Sequence, residues 1–169
     1  MAGKTGRSIP RRRKAGLTNY HRRLKLLRSQ TPRAVVRVSN TRTTCQLTKY
    51  NAGGDEVVST MTGSDLVNKF GWPAGFSQKS VPASYLVGFA LGKSALKAGE
   101  TEAVLDLGLA SNSSGSRVYA ALKGMADAGL NIPHDEDILP SDERINGEHI
   151  DDKVAKAVEA TRKKIEGAY

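Results

Sequence analysis

The sequence predicts an α/β fold, a mixed β-sheet flanked by helices, with a basic N-terminal arm and a C-terminal helix. Three observations carry that reading. Segments between residues 34 and 61 read as strands separated by turn residues, and beyond Gly63 the apolar pattern changes to helix, strand, helix, which makes a layered α/β sandwich. The charge is also uneven: residues 1–42 hold thirteen of the 26 Lys and Arg residues and no Asp or Glu. The first acid is Asp55, so the net +9 divides into +13 for residues 1–42 and −4 for the remainder. A block of one sign repels itself and does not pack alone; its usual role is to meet a partner of opposite charge.

In chain order, Gly3, Gly6, Ser8 and Pro10 interrupt the charges of residues 1–15, which predicts a segment that orders on its partner. A helix follows over 19–28 with Thr18 as N-cap. Leu17, Tyr20, Leu24 and Leu27 share one face of it, with Arg22, Arg23, Lys25 and Arg28 around the rest and Leu26 off the stripe. Such a helix would dock by its apolar side and offer the other to phosphate. Residues 34–38 and 43–50 read as strands, the second by its strict alternation, and Asn51, Gly53 and Gly54 mark a turn into a third at 56–61. The three form an antiparallel meander.

Beyond Gly63 the pattern predicts a short helix at 64–70, a loop through Gly71, Trp72 and Pro73, and a longer helix at 82–98. Pro82 at its start and Gly99 past its end are the expected signals. A continuous apolar run predicts a buried strand at 103–107, and 114–128 a helix turning Val118, Leu122 and Met125 inward. Residues 133–147 are polar and acidic, and a last helix runs over 150–165. This divides the chain into a basic RNA-binding arm and helix at 1–30, an α/β core at 31–132, and an acidic loop with C-terminal helix at 133–169.

Other function classes find little support. The longest mostly apolar stretch, 83–92, is about half the ~20 residues that span a bilayer, and the basic arm has few of the Trp, Phe and Leu anchors of a lipid-surface helix. No membrane partner is expected. The lone Cys45 suits a reducing compartment. Gly92, Lys93 and Ser94 resemble the end of a P-loop, but Gly88 is one residue out of register and the stretch lies within a helix, so close helix packing explains both glycines better. His21, His134 and His149 form no metal-binding pair. Asp106, Asp135, Glu136, Asp137, Asp151 and Asp152 could be imagined as carboxylates of a metal-dependent nuclease on structured RNA, yet Asp151 and Asp152 are better placed as acids at a helix start. No nucleophile turn is recognisable, so no enzyme activity and no cofactor are expected. Phosphate contact is blind to sequence, and Tyr20 is the single aromatic among the first 42 residues, which favours structured RNA read by shape over a stacked single strand.

Several segments resemble one family. Thr18 to Leu24 (TNYHRRL) and Pro32 to Asn40 (PRAVVRVSN) are similar to the basic helix and first strand of the large-subunit ribosomal protein numbered eighteen in the universal scheme, called L-five in eukaryotes. The more specific part is Leu105 to Leu109 (LDLGL) followed by Gly115 to His134 (GSRVYAALKGMADAGLNIPH). Ile132, Pro133 and His134, with the tail through His149 and Ile150, resemble the archaeal and eukaryotic branch, and the lack of a long C-terminal extension points to the archaeal type. The resemblance implies a cytoplasmic ribosomal protein that binds 5S rRNA, helps attach it to the large-subunit rRNA in the central protuberance, and neighbours other large-subunit proteins, including the one numbered five. By match to the family's RNA-facing segments, it implies contacts from Arg11, Arg12, Arg13, Lys14, Asn19, Tyr20, Arg22, Arg23, Arg28, Arg37, Ser39 and Asn40, and nearer the terminus from Lys4 and Arg7.

Overall fold

A computed structural model describes residues 8–169. Alternating burial builds the sheet: β1 (Arg33–Val38), β2 (Thr43–Lys49) and β3 (Glu56–Thr62) form the antiparallel meander, with Val36 opposite Cys45 and Cys45 opposite Met61. A fourth strand, β4 (Val104–Asp106), lies parallel to β1 on its other side and gives the order β3-β2-β1-β4. The mixed sheet is the predicted one. β4 is shorter than the predicted 103–107, and Val104 and Leu105 are only half-buried. The chain leaves the sheet at Gly108, whose φ of +62° turns the backbone through a region that suits glycine.

Before the sheet come α1 (Arg11–Lys14) and α2 (Tyr20–Leu27); α3 (Gly63–Phe70) and α4 (Val81–Lys97) join β3 to β4, and α5 (Arg117–Asp127) follows it. After a 3-10 turn at Glu136–Ile138 within the predicted acidic loop, α6 (Asp142–Asn146) and α7 (Asp152–Ala168) complete the described residues. α3 starts directly off β3 because Thr62 and Asp65 cap it reciprocally: Asp65 N–H donates to Thr62 Oγ1 at 3.2 Å, and Thr62 N–H to Asp65 Oδ2 at 3.0 Å. Asp151 caps α7 by accepting from Lys153 N–H, the role expected of an acid at that end.

The core lies between one sheet face and the helices. Ala34, Val36, Cys45, Leu47 and Met61 turn to that face and meet α4, which is buried along most of its length between sheet, α5 and α7. Burial pushes the Cys45 thiol up to about 12, so it stays protonated and inert. α4 and α5 cross backbone to backbone. A Cβ on Gly88 would lie 2.0 Å from the Ala121 carbonyl oxygen, and one on Gly124 would lie 2.1 Å from that of Tyr85. Gly88 and Gly92 therefore serve helix packing, as their place inside a helix suggested. α7 lays Val154, Val158, Thr161 and Ile165 into the same core.

Candidate nucleic-acid interface

Strand alternation sends Val35, Arg37, Gln46 and Thr48 to the sheet face that the core helices do not cover. That face floors a groove of about 1090 Å³, bordered by α2, by the β2–β3 turn at Gly54 and Asp55, and by the β4–α5 loop from Leu107 to Ala110. Arg12, Arg22, Arg23, Arg33 and Arg37 line it, against two acids, Asp55 and Asp106. Its balance is cationic, as a polyphosphate site requires.

These charges form one alternating ladder. Arg23 Nη2 donates to both Asp55 oxygens at 3.0 and 2.9 Å, and Arg33 Nη2 to Asp55 Oδ2 at 2.5 Å. Arg33 Nη1 reaches Asp106 Oδ2 at 2.9 Å, and Arg37 Nη2 reaches Asp106 Oδ1 at 3.2 Å. Arg33 is 3% exposed, so its guanidinium needs both carboxylates. Asp106 is nearly as buried and also accepts from the Gly108 N–H at 2.8 Å. Burial alone would raise the Asp55 carboxyl; hydrogen bonds and charge from Arg23 and Arg33 outweigh it and hold the group below its ordinary value. At the outer end Arg37, half exposed, also donates through Nη1 to the carbonyls of Val36 and Asp106 at 2.8 and 2.7 Å. It fits there because residue 108 is glycine: a Cβ at that position would lie 2.7 Å from Arg37 Cζ.

The ladder also sets the seat of α2 and corrects the expected docking face. No residue of α2 is buried; Leu17, Tyr20 and Leu24 are 60, 38 and 55% exposed. Leu17, Asn19 and Tyr20 line the groove at the start of the helix and Arg22, Arg23 and Leu26 along it, so the leucine that falls off the predicted stripe faces the groove while Leu24 and Leu27 do not. Arg22 Nη1 donates to the Gly108 carbonyl at 2.7 Å, so α2 is held by two arginines rather than by an apolar seam. Its cap is Asn19, not Thr18: Asn19 Oδ1 accepts from Arg22 N–H at 3.1 Å, while Thr18 Oγ1 accepts from Arg12 Nε at 2.8 Å.

The other sequence candidates fall into two sets. Arg11, Arg12, Arg13 and Lys14 form the single exposed turn of α1, and Arg28 is exposed just past α2. Ser39 closes the β1–β2 turn, its Oγ donating to the Arg42 carbonyl at 2.8 Å and accepting from Arg42 N–H at 3.0 Å, which leaves Asn40 exposed at the apex. Lys4 and Arg7 lie outside the described residues. Arg12, Asn19, Tyr20, Arg22, Arg23 and Arg37 thus share the groove, with Ser39 and Asn40 beyond the end of β1. Sequence reading missed Arg33, Asp55 and Asp106 as the frame. A signal existed for one of them, since Asp55 is the first acid after a wholly basic block and stands in a turn facing it.

The family model for ribosomal large subunit proteins 60S L5 and 50S L18 matches residues 7–103 and 96–135, well over half of the chain. The chain belongs to that family. Its relatives include the large ribosomal subunit protein uL18 of Korarchaeum cryptofilum, 48% identical over 83% of this chain and 70% of that one. The uL18 proteins of Methanothrix thermoacetophila and Aeropyrum pernix are each 47% identical, over 93% of this chain and 94% of the first, and over 83% of this chain and 64% of the second. The chain is therefore of the archaeal type. The family match takes in the whole groove, and the family is a structural one. Two of the imagined nuclease carboxylates have structural roles: Asp106 holds two arginines and Asp151 caps α7. Among the described residues, no three His, Cys, Asp or Glu side chains gather as a metal site.

Proposed function

We propose that this large-subunit ribosomal protein binds 5S rRNA through its basic arm and groove and helps attach it to the large-subunit rRNA in the central protuberance, beside neighbouring proteins that include the one numbered five. The observation that carries the reading is the groove itself. A flexible arm of one sign could bind any polyanion, but here α1, α2 and the end of β1 bring cationic groups round one open sheet face whose inner members are locked by Asp55 and Asp106. Locked donors lose less entropy on binding and read shape rather than charge alone. The work is done in the cytoplasm, where the ribosome assembles.

Mixing the purified protein with 5S rRNA, an unrelated RNA duplex and anionic vesicles tests this. The 5S rRNA is retarded at the lowest protein concentration and stays intact with added Mg²⁺. Equal retardation of the duplex, or preference for vesicles, would contradict the reading; loss of the RNA with time would favour the nuclease.

A further inference from the structure

An asparagine followed by glycine or serine is chemically unstable, because the next backbone nitrogen can reach and attack the side-chain carbonyl carbon wherever the chain is free to bring the two together. The sequence has two such pairs, Asn112-Ser113 and Asn146-Gly147. By sequence the second reacts faster, since glycine has no side chain to hinder the approach. The structure reverses that order. Gly147 is the buried C-cap of α6 at φ +81°, its N–H donates to the Glu143 carbonyl at 3.1 Å, and Asn146 Nδ2 donates to Glu148 Oε1 at 3.3 Å. Attack there has to unwind the helix end first. Asn112 lies instead in the β4–α5 loop, where Ser111 to Ser114 are all exposed. Among the described residues, neither the Asn112 side chain nor the Ser113 N–H has a hydrogen-bond partner, and the Ser113 carbonyl is held only by the Ser116 N–H at 3.3 Å. The turn asparagines are more constrained: Thr41 N–H donates to Ser39 Oγ after Asn40, and Asn51 Oδ1 accepts from Gly53 N–H.

From this geometry we infer that Asn112 is a self-modification site of the folded protein, and that its conversion to an acid weakens RNA binding in the neighbouring groove. The Ser113 nitrogen bonds to Asn112 Cγ, the Cγ–Nδ2 bond breaks, and the side-chain nitrogen leaves as ammonia with the Ser113 amide proton. A five-membered imide remains. Water opens it at one carbonyl or the other, giving aspartate, or isoaspartate with the main chain routed through the side-chain carbon. Either product places a negative charge in a loop that has none, since Leu107 to Ser116 hold no charged residue. Ala110, two residues from Asn112, lines the groove. Two residues span at most about 7 Å, which is inside the ~8–10 Å over which a charge acts at moderate salt. The new carboxylate therefore opposes phosphate at that rim. This second step rests on the reading of the groove as an RNA site, and the first does not.

The test is to age the full chain in mildly alkaline buffer, folded and in urea, and to follow the replacement of amide by acid at each asparagine by peptide mapping with mass spectrometry. In the folded protein Asn112 converts first and Asn146 lags; in urea the order reverses. Ser113→Val, at an exposed position where a branched side chain hinders the attack, slows conversion at Asn112 and leaves Asn146 as it was. Conversion of Asn146 ahead of Asn112 in the folded chain, or an Asn112 rate untouched by Ser113→Val, would overturn the assignment. Asn112→Asp reproduces the charge of the product, and its affinity for 5S rRNA should fall about twofold at moderate salt, with the difference fading as salt rises. Wild-type affinity in Asn112→Asp would overturn the second step. If the wild-type chain does not retard 5S rRNA at all, the reading of the groove fails instead, while the order of conversion still decides the modification site.

Discussion

Asp55 stands in a turn marked in the sequence by Asn51, Gly53 and Gly54, yet its two oxygens take both Arg23 and Arg33. Asp55→Asn should loosen α2 and leave Arg33 with one carboxylate, costing about 1–3 kcal/mol in chemical denaturation. Asp106→Asn should cost more, about 3–5 kcal/mol, because both partners are buried and Arg37 is released as well. The pH dependence has a definite sign. A carboxyl held below its ordinary value contributes stability above the unfolded value of about 3.9 and loses it as pH falls through the lower folded value. The Arg23–Asp55 latch should therefore be constant at neutral pH and open only below about pH 4, read from the amide shifts of α2. At the turn after β1, Asn40→Ala should weaken 5S rRNA binding about fivefold, as should Arg37→Ala, and Lys163→Ala on the far side should do less. Equal losses for all three would mean that charge alone decides affinity.

Elements were legible in proportion to how strongly burial dictates them. Alternate residues of β2 must go to opposite faces and α4 is apolar nearly all round, so both were readable to within about a residue. α2 was readable as a helix but not in its docking side, because Leu17, Tyr20 and Leu24 form the stripe that usually packs, whereas the structure seats the helix by arginines on partners 32 and 86 residues away. Contacts between such distant positions leave no period in a sequence. The weak apolar anchorage of α2 predicts that a chain lacking residues 1–28 keeps a cooperative thermal transition and loses most RNA affinity. A transition without cooperativity would place α2 in the core. The α4–α5 crossing behaves oppositely. Gly88→Ala must push the helices apart at a rigid carbonyl, and thermal unfolding should show a loss at or beyond the upper end of the ~1–3 kcal/mol typical of overpacking.

At the scale of the whole molecule, the charge division of the sequence is partly a spatial one: Arg12, Arg22, Arg23, Arg33 and Arg37, all from the basic first 42 residues, meet over one sheet face, while residues 43–169 carry a net −4. That arrangement orients the protein on a polyanion as well as attracting it. The family of the chain was legible from short segments of sequence, but the frame beneath the groove was not, since its carboxylates lie in an ordinary turn and at the end of a three-residue strand.

The central claim is that the exposed cations of the arm and groove, seated on this frame, bind 5S rRNA through its phosphates. The salt dependence of that affinity tests it most directly. With ~6–10 phosphates neutralised, log affinity should fall with log salt at about 0.7–0.9 per contact, which is about 10³- to 10⁵-fold between roughly 50 and 200 mM. Replacing Arg11, Arg12, Arg13 and Lys14 together by Gln removes up to about four contacts and should flatten that slope in proportion. A slope unchanged in the quadruple variant would contradict the account and move the main electrostatic contact away from the arm.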